Sequence, residues 1–268
     1  MPFWKVQSSH TGISWFNEQI SHILNIAGDS SKLDLTILPG VGRTGTSVLF
    51  QCLHATDGFQ EKNKSRLVGL PPTEHILFRV ANNIIARYLG ATALMPGSDW
   101  DKQFGDLLVG SIDNSKELDF DTKYEMRTLV GILMWQDVKL LKEPVCQFAL
   151  QCWIDNYDCF KNAKYIWTRR NIRETAKSYV RLKVPDRLVE GKNTPTGYRG
   201  NLTVSVAEKI VTASERILEG IMPQVNHIEV WHHDLINDTK NTFDRISEFV
   251  GAEVNTDAFD RGKVHGKV

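Results

Sequence analysis

Apolar residues recur along this chain in two rhythms. One has helical spacing, as in Ile13, Phe16, Ile20, Ile23 and Leu24, and again in Leu77, Val80, Ile84, Ile85, Tyr88 and Leu89. Such spacing lays the apolar residues on one face and predicts helices over 13–27 and from His75 to Leu94. The same reading predicts helices over 121–135, 146–160, 172–183, 202–221 and 239–250, the last closed by Gly251 as C-cap. The other rhythm is a short apolar run, at Leu33–Leu38, Asp137–Leu141, Tyr165–Thr168 and Ile228–Trp231. Runs of that length, rich in β-prone residues, predict buried strands. Polar stretches with Gly and Pro separate them: a loop precedes His75, 95–120 is loop-like, and 184–200 reads as a mobile substrate loop. Strands alternating with helices predict an α/β fold with a mainly parallel central sheet flanked by helices, as one domain over residues 1–268.

The stretch from Leu33 to Leu53, LDLTILPGVGRTGTSVLFQCL, joins the first strand to the next helix through a Gly-containing turn. Such a turn leaves backbone N–H groups unpaired at a helix N-terminus, where the helix dipole favours an anion. Gly40, Gly42 and Gly45 allow close backbone approach. Arg43 adds a planar fork of donors, and Thr44, Thr46 and Ser47 add hydroxyls. The nucleotide-hydrolase loop needs Lys followed by Ser or Thr at its end, but no Lys lies between Pro39 and Gln60. That argues against an ordinary ATPase or kinase.

Composition narrows the picture. With 32 basic and 32 acidic residues, the net charge is +0, so no global field favours nucleic acid or an anionic membrane. An apolar content of 41% and a charged content of 24% fit a soluble globular chain. No signal peptide and no membrane-spanning run are read, and the expected location is cytoplasmic. Cys52, Cys146, Cys152 and Cys159 form no Cys-x-x-Cys pair and read as buried free thiols. His232–His233 has no matching ligand pattern and reads as structural or surface, so no metal site is expected.

Two families have loops similar to GVGRTGT. It resembles the phosphate loop of protein tyrosine phosphatases, but Ile37 stands where their nucleophilic Cys would be, so no thiolate is available. It also resembles the 5′-phosphosulfate loop of sulfotransferases, which use 3′-phosphoadenosine 5′-phosphosulfate (PAPS), in the bacterial and Golgi-type form Gly-x-x-Arg-Ser-Gly-Thr-Thr/Ser. Thr44 replaces the usual Ser.

A second stretch, AKYIWTRRNIRETAKSYVRLK from Ala163 to Lys183, separates the two. Arg170-Asn171 at the turn and Ser178 on the helix resemble the sulfotransferase motif that holds the 3′-phosphate, with Ile172 replacing the usual Pro. The bland alternative is a basic amphipathic helix with solvated Arg169, Arg173 and Arg181. Lys142-Glu143-Pro144 resembles the family element whose Lys points at the sulfuryl group, and 228–235 resembles a mostly structural C-terminal element. Arg261-Gly262-Lys263 is similar, in altered order, to the loop that covers the nucleotide.

The resemblance implies a three-layer P-loop-like domain, with its 5′-phosphosulfate loop at 33–53 and its 3′-phosphate motif at 163–180. It implies a metal-independent transfer of a sulfuryl group from PAPS to a hydroxyl or amine of a small-molecule, glycan or peptide acceptor. Gly42, Arg43, Thr44, Gly45, Thr46, Ser47, Arg170, Ser178, Arg261 and Lys263 would bind the nucleotide. Arg43 would stabilise the bridging oxygen, Lys142 the sulfuryl oxygens, and Glu61 is the first choice of general base, with His54, Glu74, His75 and Glu143 as rivals. The alternative is a non-catalytic phosphate- or nucleotide-binding protein on the same scaffold.

Overall fold

A computed structural model describes residues 25, 27–41, 44–60, 76–93, 108–109, 112–143, 146–181 and 203–259. The loop expected over 184–200 lies outside them, as does almost all of the helix expected over 13–27. After a 3-10 turn (Ala27–Lys32) come β1 (Thr36–Leu38), α1 (Thr46–His54), α2 (Ile76–Tyr88), β2 (Thr92–Ala93), β3 (Leu108–Val109) and α3 (Phe120–Trp135). Then follow β4 (Leu140–Lys142), α4 (Gln147–Asn156), α5 (Asp158–Lys161), β5 (Lys164–Arg169), α6 (Ile172–Arg181) and α7 (Val204–Ile221). A short 3-10 turn (Met222–Gln224) leads into β6 (Asn226–Trp231), α8 (His232–Asn237) and α9 (Thr239–Val250).

The central sheet has the order β4-β1-β5-β6 and every pair is parallel. Parallel neighbours need crossover connections, and these put helices on both faces. Side chains alternate across the sheet, which splits the core in two. Ile37, Leu141, Tyr165 and Trp167 face one cluster, with Phe78 and Ile85 of α2, Leu129 and Leu133 of α3, and Trp153 of α4. Leu38, Leu140, Ile166 and Val230 face the other, with Leu49 and Leu53 of α1, Leu235 of α8, and Phe243 and Ile246 of α9. The three-layer α/β architecture expected from the sequence is the one observed. β1 lies between β4 and β5, so the chain leaves β1 for one side and returns on the other. In open parallel sheets the crevice at such a point, outside the carboxyl ends of the strands, is where ligands bind.

Several local expectations need correction. The helix expected to run to Leu94 stops at Tyr88, because Gly90 takes φ 116 and Ala91 N–H bonds back to the Ala86 carbonyl at 2.8 Å. That is the Schellman stop, with the left-handed residue at Gly. The freed chain makes β2, where the helix was expected to continue, and it pairs antiparallel with β3, which lies in the stretch read as loop. Asp137 is not the start of a strand. It ends α3 with φ 51, while Val138 N–H bonds to the Leu133 carbonyl at 2.9 Å, and β4 begins only at Leu140. The single helix expected over 146–160 breaks at Tyr157, whose backbone is extended and whose ring turns back to lie 5.9 Å from Trp153. A helix, α8, follows β6 directly, where the sequence reading placed none. Gly251 closes α9 as expected.

Candidate anion site at the carboxyl edge of the sheet

The site is built where β1, β4 and β5 end. Register puts Leu38 beside Lys142 on one side and Ile37 beside Tyr165 on the other. The chain then turns through Pro39–Val41, all buried, and enters α1 at Gly45. Gly45 is the N-cap residue, at φ 100, and no side chain caps the helix. A Cβ there would adopt a strained backbone and would lie 3.2 Å from Leu235 Cδ1 and 3.6 Å from His232 Cδ2. The first turn of α1 carries Thr46, buried, and Ser47, exposed. Lys142 is 2% exposed and donates from Nζ to Ser47 Oγ at 3.0 Å. A buried ammonium thus stands at a helix N-terminus that lacks a side-chain cap, and both features favour a bound anion.

Thr44 behaves differently from the expected ligand hydroxyl. It is fully buried, donates from Oγ1 to the Val41 carbonyl at 2.8 Å, and shares a second 2.8 Å hydrogen bond with Thr168 Oγ1. The single Thr44 proton goes to Val41, so Thr168 is the donor in the hydroxyl pair. The Thr44 side chain therefore faces the interior, and any contact from Thr44 to an anion falls to its backbone. Gly40 lies on the same seam, where a Cβ would stand 2.7 Å from Thr168 Oγ1 and 3.1 Å from Thr46 Cγ2.

Strand alternation gives neighbours on β5 opposite tasks. Thr168 shares the face of Ile166, toward α1, whereas Arg169 shares the face of Trp167. Arg169 is not a solvated arginine. Its guanidinium carbon lies 4.1 Å from the Trp167 ring centre and 5.0 Å from that of Trp231. It forms ion pairs with Glu219 at 2.7 Å, Glu215 at 3.2 Å and Glu229 at 3.4 Å. Burial pushes the Glu215 carboxyl up to about 7, against the opposing pull of Arg169. Arg173 is mostly exposed and only 3.7 Å from Glu208, which fits the solvated reading for that residue.

Arg170 and Ser178 are both half-buried, at the turn after β5 and in the second turn of α6. Asn171 caps this helix with its own side chain: Oδ1 accepts from the N–H groups of Arg173 at 3.0 Å and Glu174 at 3.2 Å. Two of the first amides of α6 are thus already taken by Asn171.

Gly42, Arg43, Glu61, Glu74, His75, Arg261 and Lys263 lie outside the described residues. His54 is at the far end of α1, about 12 Å along the helix from Thr46 at 1.5 Å per residue, and stacks on Phe50. Glu143 is fully buried. All four cysteines are buried free thiols, and burial raises Cys52 to about 11 and Cys152 and Cys159 to about 12. None is poised as a nucleophile. His233 is exposed and 3.0 Å from the Asp234 carboxylate, whereas His232 is buried beside Gly45. Among the described residues no cluster of His, Cys, Asp and Glu could hold a metal, and no helix is long and apolar enough to cross a membrane.

No protein-family model matches the chain, and no curated protein sequence matches it. Solved structures do. The sulfotransferase domain of the Synechococcus PCC 7002 olefin synthase aligns at 17% identity and TM-score 0.46, over 84% of this chain and 75% of its own. A sulfotransferase from Mycobacterium avium aligns at 15% identity and TM-score 0.46, over 96% and 76%. One from Mycobacterium tuberculosis aligns at 14% identity and TM-score 0.47, over 91% and 76%.

Proposed function

We infer that this protein transfers a sulfuryl group from PAPS to a hydroxyl or amine of a small-molecule, glycan or peptide acceptor. The observation that carries the reading is the buried Lys142 ammonium, 3.0 Å from Ser47 at an α1 N-terminus with no side-chain cap. An anion suits this place because the uncapped first-turn amides of α1, the Ser47 hydroxyl and the Lys142 side chain lie at the same helix end.

PAPS supplies an activated sulfuryl group whose S–O bond to the 5′-phosphate breaks as a new bond to the acceptor oxygen or nitrogen forms. In this chain, the amides of the α1 first turn and the hydroxyls of Thr46 and Ser47 would hold the 5′ anion. Lys142 would neutralise charge gathering on the sulfuryl oxygens, Arg43 would stabilise the bridging oxygen, and Gly42 would bind the nucleotide with the rest of the loop. Arg170 and Ser178 would bind the 3′-phosphate, with Arg261 and Lys263 closing over the nucleotide. A carboxylate, Glu61 first, would take the acceptor proton. Such a transfer rests on positioning and electrostatic stabilisation and needs no metal.

The test is release of 3′-phosphoadenosine 5′-phosphate, followed chromatographically, from PAPS with a panel of hydroxyl and amine acceptors. Lys142→Met is expected to lower turnover by about 10²–10³-fold, the usual cost of losing one preorganised donor, with little loss of affinity for the desulfated nucleotide. Nucleotide binding without release for any acceptor would leave a non-catalytic nucleotide-binding protein. Failure to bind the nucleotide would overturn the reading.

A further inference from the structure

The two anion motifs are joined by one interior hydrogen bond. Thr44, in the first loop, and Thr168, two residues before Arg170, meet at 2.8 Å although they are 124 residues apart. Both are fully buried. Gly40 leaves the space that Thr168 occupies, since a Cβ there would be 2.7 Å from the Thr168 Oγ1. The carbonyl of Val41 accepts the Thr44 proton at 2.8 Å, so Thr44 links the loop backbone at Val41 to the β5 hydroxyl, which packs close against Gly40. A buried hydroxyl in such a chain has its direction fixed, because every alternative leaves a donor or acceptor unmet.

We propose that Thr168 is a positioning residue that sets the spacing between the 5′ and 3′ anion seats, so that a ligand carrying both anions is bound better than either half. The inference rests on the nucleotide reading of the site. Its chemistry is that of a chelate: two seats held rigidly at the right separation bind a bisphosphate ligand with less ordering cost than two seats that move independently. Thr168 itself touches no ligand. Its hydroxyl holds the first loop against the strand that delivers Arg170.

The test uses Thr168→Val, which keeps the shape and removes the hydroxyl, and Thr168→Ser, which restores it. Calorimetric affinity is measured for 3′-phosphoadenosine 5′-phosphate, AMP and 3′-AMP. Amide hydrogen exchange over residues 44–49 is read without ligand. Thr168→Val is expected to weaken the bisphosphate about tenfold and each monophosphate less than twofold. It should also speed exchange at the start of α1, and Thr168→Ser should recover both. Thr44→Val should lose at least as much, because it also strands the Val41 carbonyl, and adding Thr168→Val to it should cost little more. Equal weakening of all three nucleotides, an unchanged bisphosphate affinity, or no recovery with Ser would overturn the proposal. Should the wild type bind no bisphosphate at all, the sulfotransferase reading falls and the two-seat spacing falls with it. Accelerated exchange at residues 44–49 would then still show that Thr168 anchors the loop, which separates the two failures.

Discussion

The chain uses the strand–turn–helix unit twice at the same edge of the sheet, and the two copies are finished differently. At β1–α1 the N-cap is Gly45, and no side chain closes the helix. At β5–α6 Asn171 closes the helix with its own carboxamide oxygen. An ionic cluster of Arg169, Glu215, Glu219 and Glu229 buttresses the strand end. The first unit leaves its helix start without a side-chain cap, whereas in the second Asn171 already takes two of the first amides. A strand–turn–helix pattern with basic residues is therefore not one kind of anion site. Which groups remain available depends on how the helix is capped.

The contrast predicts that pH sensitivity resides in the second unit. Glu215 is 4% exposed and its carboxyl is raised to about 7 from an ordinary 4.5. The native state therefore holds the proton more tightly than the unfolded chain. The corresponding stability is fully present below about pH 4.5 and is lost as pH rises through about 7. Integrated over that window it amounts to up to about 3 kcal/mol. Denaturant unfolding of the wild type and Glu215→Gln between pH 4.5 and 8 checks this. The wild type should lose stability relative to the variant as pH rises. A constant difference would mean that Arg169 keeps Glu215 ionised throughout.

Smaller effects should fall oppositely on the two turns. Gly45→Ala forces a side chain into φ 100 and toward Leu235, and is expected to cost about 2 kcal/mol and to abolish binding of the 5′ anion. Asn171→Ala removes a cap and is expected to cost about 1 kcal/mol, with binding of AMP nearly unchanged. Urea midpoints and AMP titrations on both variants test the pairing. If Asn171→Ala impaired AMP binding as much as Gly45→Ala, the distinction between the turns would be lost.

Much of this organisation was legible in the sequence. The four strands of the central sheet were visible as apolar runs because a parallel sheet is buried on both faces, and the first turn was visible because Gly, Arg and hydroxyls crowd into eight residues, Gly40–Ser47. The meeting of Lys142 with Ser47 was not legible, since nothing local reports a contact across 95 positions, and the family resemblance only aimed Lys142 at the sulfuryl group. The inward direction of Thr44 was not legible for the same reason: its partner, Thr168, is fixed by strand register. Arg169 looked like one more solvated arginine, although alternation from the buried Trp167 already pointed it at the α7 face. His232 against Gly45 escaped notice because the helix that carries it is short and follows the strand without a turn.

The most direct test of the account is a calorimetric titration of the wild type and Arg170→Ala with 3′-phosphoadenosine 5′-phosphate and with AMP. The account predicts that the wild type prefers the bisphosphate by at least about tenfold, the worth of one charge-assisted phosphate contact, and that Arg170→Ala removes the preference while AMP binding survives. Equal affinity for the two nucleotides in the wild type, or a preference that outlives the loss of Arg170, would contradict it.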